Sequence, residues 1–325
     1  MTSLALYGYD LFGEPVNPEP SGIVAEKFTM PPFSLLDARS GSWQERKRAW
    51  IRMGLKGEQG RDSSLTYSMP LNAWYSEKME EEYYGDEAQK NNTSIFDPVL
   101  TELVYKWFCP KGGLIVDPFA GGSVRGIVAG MLERHYWGCD LREEQIQANM
   151  IQGDELRPKV MPKWVCGDSM EKLTEAPEAD FIFSCPPYGD LEIYSKNPAD
   201  LSNMEYHTFI PAYKRIILRA CKKLKENRFA CFLVGDFRDK KGFYRNFVSE
   251  TIKAFNESGM ELYNEAILAT AIGSASMRVS RSFTSGRKLA KTHQNILVFV
   301  KGDWKKATNK INENDRFASS INNQF

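Results

Sequence analysis

The chain is poor in the residues from which metal sites and covalent frameworks are built. It has three histidines in 325 residues, and its six cysteines, Cys109, Cys139, Cys166, Cys185, Cys221 and Cys231, contain no C-x-x-C pair. Structural zinc and disulfide scaffolds need such clustering, so neither is expected, and no metal is expected in a site. No apolar run approaches the ~20 residues of a membrane-spanning helix. Residues 1–13 lack the basic start and sustained apolar core of a secretory leader. The expectation is a cytoplasmic protein without a membrane partner. Net charge is missing as well: Lys+Arg and Asp+Glu balance at 42 each, which excludes the overall positive field of a non-specific nucleic-acid coat. Any nucleic-acid contact must use local patches.

Apolar residues at 42% and charged residues at 26% describe an ordinary folded protein long enough for a substantial core. The first ninety or so residues are rich in Pro, Gly and Ser, with aromatic residues at no clear period. The legible element there is 42–53, where Trp43, Trp50 and Ile51 sit among Arg46, Lys47, Arg48 and Arg52, a basic amphipathic helix that suits either a solvated face or a DNA or substrate contact. From Phe96 to Gly302, short β-rich apolar runs alternate with helical stretches, which implies βα units and a largely parallel sheet. Strands are expected at 114–116, 136–139, 164–166, 181–184, 229–234, 262–269 and 295–300, with helices at 99–108, 124–132, 143–151, 206–224 and 244–258. After Trp304 the sequence turns polar and loses its apolar period, which predicts a flexible tail. The expected division is an N-terminal extension (1–93), a catalytic domain (94–303) and the tail (304–325).

Four signals carry chemistry. Ile115-Val-Asp117-Pro-Phe-Ala-Gly121-Gly-Ser123 is a buried strand that breaks into a glycine turn before a helix, letting backbone approach a ligand next to free N–H groups. The third glycine of a dinucleotide fingerprint and the lysine of a phosphate loop are both missing, which disfavours NAD and ATP. Asp140, twenty-three residues after Asp117 at the end of the next strand, suits a carboxylate on ribose hydroxyls. Asp168 in Cys166-Gly-Asp ends the third strand, within reach of an adenine amino group. Each of these acids also fits a helix cap or a surface carboxylate. The most specific signal is Ser184-Cys185-Pro186-Pro187-Tyr188 at the end of an apolar strand: the prolines fix the preceding carbonyls, and Tyr188 offers a face on which a flipped base can stack.

Taken in order, Asp117-Pro-Phe-x-Gly121, Asp140, Gly167-Asp168 and Pro186-Pro187-Tyr188 resemble the adenine-N6 and cytosine-N4 DNA methyltransferases, over Phe96 to Gly302. The flanks resemble those of phage-borne or mobile-element modification methylases, the enzymes of DNA modification and restriction-modification. The resemblance implies a Rossmann-like, class I seven-stranded α/β sheet with a reversed last strand, S-adenosyl-L-methionine as cofactor and DNA as partner, with a homodimer an open alternative to a monomer. It puts Phe96, Asp97 and Pro98 in the methionine-side wall, Asp117, Phe119 and Gly121 under the cofactor, Asp140 on its ribose and Asp168 near its adenine. Two positions depart from the pattern. Cys185 stands where the family has Asp, Asn or Ser before Pro-Pro, and Ser123 stands where a further glycine is frequent. A cysteine side chain accepts hydrogen bonds weakly, so the acceptor for the amine is either Ser184 or the carbonyl of Cys185.

The segment 271–293 holds Arg278, Arg281, Arg287, Lys288 and Lys291 and no acidic residue, and reads as a loop for DNA phosphates or an ordinary solvated loop. Gly235-Asp-Phe-Arg238-Asp-Lys240-Lys241 reads as a border of the target pocket or a structural turn. Three rival functions remain at this point: pyrimidine C5 methylation with Cys185 as covalent nucleophile, which places the cysteine before the prolines where that family has it after; methylation of an RNA amine; and a non-catalytic DNA-binding protein on the same fold.

Overall fold

The computed structural model describes residues 28–57, 59–60, 96–189, 195, 197–270 and 275–322, the last with side chains at 279–313. The described residues fall into two units, divided between Phe33 and Ser34. Of the first, the described part ends in a turn closed by the Phe33 N–H on the Pro31 carbonyl at 2.8 Å.

In the second unit, β1 (Leu35–Asp37) and α1 (Gly41–Arg52) precede α2 (Pro98–Phe108), β2 (Leu114–Asp117), α3 (Val124–Met131), β3 (His135–Asp140), α4 (Glu143–Leu156), β4 (Lys163–Cys166) and the short α5 (Ser169–Lys172). Then come β5 (Ala179–Ser184), α6 (Tyr206–Lys223), β6 (Leu224–Val234), α7 (Phe247–Glu257), β7 (Glu261–Ala269), α8 (Ala275–Gly286), β8 (His293–Lys301) and α9 (Trp304–Asn322). Eight strands form one sheet in the order β1-β7-β8-β6-β5-β2-β3-β4. Neighbours are parallel except around β8, which runs antiparallel to β6 and β7. This is the Rossmann-like α/β sheet with a reversed last strand that the family resemblance implies.

Alternation along β5 shows how the sequence makes two layers. Phe181 and Phe183 meet Tyr105 of α2 edge-on at 6.3 and 5.5 Å, while Ile182 between them joins the core under α6 and α7 with Phe209, Tyr213, Phe232, Phe255 and Phe299. Side chains of successive strand residues point to opposite faces, so one apolar run serves both helical layers. Helix α2 starts where it does because Asp97 caps it, accepting from Val99 and Leu100 N–H at 2.9 and 3.2 Å, with Pro98 at the first position where a missing N–H costs nothing.

Three expectations need correction. The sheet has an eighth strand: β1 comes from the N-terminal extension and pairs in parallel with β7, Leu36 opposite Leu268. Three residues are too few to show a period. The polar segment after Trp304 is the helix α9, capped by Asp303, which accepts from Lys305 N–H at 2.7 Å, and anchored by Trp304 stacked on Tyr263 and by buried Ala307. The segment 271–293 is no simple loop, because α8 occupies its middle; Val279 and Phe283 stand one turn apart there. Among the described residues, no helix is long and apolar enough to cross a membrane.

Candidate active site

The strand order reverses between β5 and β2: from β2 the chain proceeds outward through β3 and β4, then returns to β5 and continues the other way. The carboxyl ends of strands flanking such a reversal open a crevice. Here they carry Asp117 on β2 and Ser184 on β5, and the two side chains meet: the Ser184 hydroxyl donates to Asp117 Oδ1 at 2.5 Å. Asp117 has no exposed surface and also accepts from the Phe119 N–H (3.1 Å), Arg125 Nε (2.6 Å) and the Tyr136 hydroxyl (2.8 Å). A buried carboxylate is tolerable only when paired and fully hydrogen-bonded, and this one is. Arg125 in turn bonds the Phe119 and Ala120 carbonyls and lies over the Phe96 ring at 4.4 Å. Burial works against its charge, but Asp117 beside it outweighs that and holds the guanidinium ionised. Asp117 therefore shapes the glycine turn from beneath, and Phe96 stands at the rim of the same cluster.

Above this floor the turn has room. Gly121 sits at φ +52°, and nothing lies within 4 Å of the place a Cβ would take. Its N–H donates to Asp140 Oδ2 at 2.9 Å, and the Arg142 N–H donates to Oδ1 at 2.9 Å. Burial raises the Asp140 carboxyl above the usual aspartate range, partly offset by those two N–H bonds. The Gly121 carbonyl accepts from Asn149 of α4 at 2.8 Å. Asn149 belongs to a buried polar row with Gln145 and Gln152, which binds the carbonyls of Gln59 and Lys56 at 2.8 Å each. Lys56 and Gln59 are thus tied to α4, next to the turn. Phe119 packs on Tyr213 and Phe232. Asp168, at the end of β4, caps α5 through the Met170 N–H at 2.8 Å, so one of its oxygens performs the cap role.

On the β5 side, Ser184 is wholly buried, Pro186 is buried, and Cys185, Pro187 and Tyr188 are half-buried. The Tyr188 ring is held edge-on by Phe237 and Phe247 at 6.2 and 6.0 Å, and its oxygen accepts from Gln294 Nε2 at 2.8 Å. These contacts fix the plane of the ring.

The basic residues of 271–293 divide. Arg281, Arg287 and Lys288 are exposed, Arg287 over Phe283; Lys291 is half-buried beside Tyr244; the side chain of Arg278 lies outside the described residues. Burial lowers the Lys291 ammonium, against a smaller opposing pull from Asp236. The basic helix α1 turns part of its stripe inward, while Arg48 and Arg52 are exposed. Its Trp43 Nε1 donates to Asp97 at 3.2 Å, Lys47 pairs with Asp97 at 3.4 Å, and Arg46 and Trp50 both bond Glu102, which is 1% exposed. At least these four residues of the α1 stripe hold the extension to α2, and Asp97 is engaged as cap and anchor.

Arg125, Tyr136, Asn149 and Gln294 escaped the sequence reading. A signal existed for Arg125: a single charge in the otherwise apolar helix Val124-Arg-Gly-Ile-Val-Ala-Gly-Met131 demands a buried partner. Nothing marked Gln294, one of three polar residues that open β8.

No family model matches the chain, and no curated protein matches it. Among solved structures, TrmN from Thermus thermophilus aligns at 14% identity and TM-score 0.45 over 63% of this chain and 49% of its own, so this chain spans about half of that protein. Magnesium protoporphyrin IX methyltransferase from Synechocystis, with bound SAM, aligns at 11% identity and TM-score 0.41 over 63% and 79% of the two chains. Precorrin-6y C5,15-methyltransferase from Geobacter metallireducens aligns at 13% and 0.42, over 66% and 92%. Likenesses this loose do not bear on what this chain binds.

Proposed function

We propose that this chain is an S-adenosylmethionine-dependent methyltransferase acting on an exocyclic amine, adenine N6 or cytosine N4, of a base flipped out of DNA. The observation that carries the reading is the Ser184–Asp117 hydrogen bond, which joins the glycine turn and the Pro-Pro-Tyr segment into one rigid floor at the sheet's switch point. The residues fit the cofactor. The Cβ direction at Gly121 is open, and Asp140 at the adjacent strand end receives two backbone N–H groups, about half of what a carboxylate accepts. Asp140 would hold the ribose, the second oxygen of Asp168 the adenine side, and Phe96 the methionine side. When bound, the cofactor supplies an electrophilic methyl group.

The chain's own work is orientation. An aromatic amine is a poor nucleophile because its lone pair is delocalised into the ring, so the nitrogen must be turned toward the methyl, and positioning of this kind supplies on the order of 7 kcal/mol. Ser184 is wholly buried with its hydroxyl turned to Asp117, so its oxygen lies out of a base's reach, whereas Cys185 is half-buried, which favours the Cys185 carbonyl as the acceptor for the amine. Two successive prolines confine the residues before them to extended backbone and so fix that carbonyl. Tyr188, its plane set by Phe237, Phe247 and Gln294, stacks on the base and offsets part of the few kcal/mol of flipping. Arg281, Arg287 and Lys288 meet the phosphates.

The test is to supply the protein with labelled cofactor and either DNA or RNA, digest to nucleosides and identify the methylated base by mass spectrometry. N6-methyladenine or N4-methylcytosine from DNA is expected. 5-Methylcytosine, label in RNA alone, or no transfer would each overturn the reading in favour of a different function.

A further inference from the structure

The chain leaving β6 folds back on itself beside Tyr188. Arg238 and Tyr244 form an antiparallel bridge, the Asp239 N–H donates to the Phe243 carbonyl at 2.8 Å, and the Gly242 N–H returns to the Asp239 carbonyl at 2.9 Å with Gly242 at φ +95°. Asp239 also accepts the Phe243 N–H at 2.9 Å through its side chain. Arg238 lies 3.9 Å over the Tyr244 ring and donates to the Gly242 carbonyl at 2.8 Å. The result is a cross-braced hairpin. Its root is Phe237, 6% exposed and packed against Tyr188, Tyr206 and Phe247.

At the tip of this braced turn, Phe243 is 70% exposed. With most of its ring left in water, it contributes little to the fold where it stands. Around it the charge is positive. Lys240 and Lys241 lie on the turn, the Lys288 side chain reaches the Gly242 backbone, and Lys291 lies 6.0 Å from the Tyr244 ring. The two acids of the stretch are engaged by backbone donors, Asp236 by the Phe247 N–H and Asp239 by the turn. A rigid hairpin that presents one apolar ring among cations, next to an aromatic residue at a crevice, has the chemistry of an insertion into a base stack: the cations take phosphates and the ring takes the place between bases.

We infer that the Arg238–Tyr244 hairpin docks on duplex DNA and that Phe243 is a wedge that opens the stack beside the base received by Tyr188. This rests on the proposed methylation of DNA and adds the element that makes a duplex accessible. The wedge matters only where a stack must be opened, which separates it from a merely structural role. The experiment measures methyl transfer to genomic DNA amplified in vitro, and so free of modification, used either as intact duplex or after heat denaturation. Phe243→Ala should lower transfer to duplex by about tenfold or more while transfer to denatured DNA stays within about twofold, and Phe243→Trp should keep duplex activity. Retained duplex transfer in Phe243→Ala, equal losses on both substrates, or a wild-type protein that methylates only denatured DNA would overturn the wedge and leave the methyltransferase reading standing. A wild-type protein that transfers methyl to neither form would overturn both.

Discussion

Asp140 is the residue at which the cofactor reading is most exposed to test. Both of its oxygens already accept a backbone N–H, from Gly121 and Arg142, so Asp140→Ala removes two things at once: the support of the turn and any acceptor for a ligand. A hydrogen bond to a charged acceptor is worth about 1.5–3 kcal/mol, so losing one to a ribose hydroxyl should raise Kd by about ten- to a hundredfold. The unsupported turn adds a share of its own. A thermodynamic cycle removes it: S-adenosylhomocysteine and its 2′-deoxy analogue are titrated into wild type and Asp140→Ala by calorimetry. If the carboxylate holds the ribose, deoxygenation weakens binding to the wild type and costs little in the variant. Additive losses, or a wild type indifferent to the missing hydroxyl, would refute the assignment. Acid gives a second reading. Only the ionised carboxylate accepts from both hydroxyls, and burial raises the folded Asp140 above the usual range, so affinity should fall as pH drops through that raised value, before an exposed aspartate would protonate. In Asp140→Asn that acid step should vanish.

Cys185→Ser should retain much of the activity if the residue contributes its carbonyl; complete loss, with a covalent DNA adduct in the wild type that the variant lacks, would establish Cys185 as a nucleophile instead. Replacing Arg281 and Arg287 by Gln should weaken DNA binding and reduce its salt slope by about one for each phosphate no longer neutralised, and an unchanged slope would remove them from the DNA. Glu102→Ala strips Arg46, Trp50 and Lys106 of their common acceptor. The cations can turn to water, so the expected loss is about 2 kcal/mol in urea unfolding, whereas no loss would mean that the Asp97 contacts and the packing of the tryptophans suffice to dock α1.

The sheet was legible because its strands are apolar runs of ordinary length and its turns carry Gly, Asp and Pro at strand ends. The motif residues fell near the reversal because the topology puts consecutive carboxyl ends there, and Asp117, Asp140 and Ser184 each close a strand. What stayed hidden has particular causes. Strand β1 is three residues long and borrows its order from β7. Helix α9 is polar over most of its length, and its docking depends on Tyr263 being exposed on β7 to receive Trp304. The inward role of Arg46 required Glu102, fifty-six residues away in sequence. A buried carboxylate in the helix Pro98–Phe108 was the missing hint, since that helix is otherwise almost wholly apolar.

The network under the crevice also bears on how cysteine is accommodated before the prolines. If the side chain at that position held the amine, its chemistry would be tightly constrained. Here the hydroxyl one residue earlier is bound to Asp117, and Asp117 is bound to Arg125, which grips the carbonyls of Phe119 and Ala120. Through this chain of hydrogen bonds the end of β5 is registered against the glycine turn without using the side chain of Cys185. The carbonyl of Cys185 then takes its direction from the strand behind it and the prolines ahead of it. On the proposed reaction, the accuracy with which the amine is placed would reside in the backbone and in the buried pair Asp117–Arg125, so a cysteine before the prolines is compatible with it.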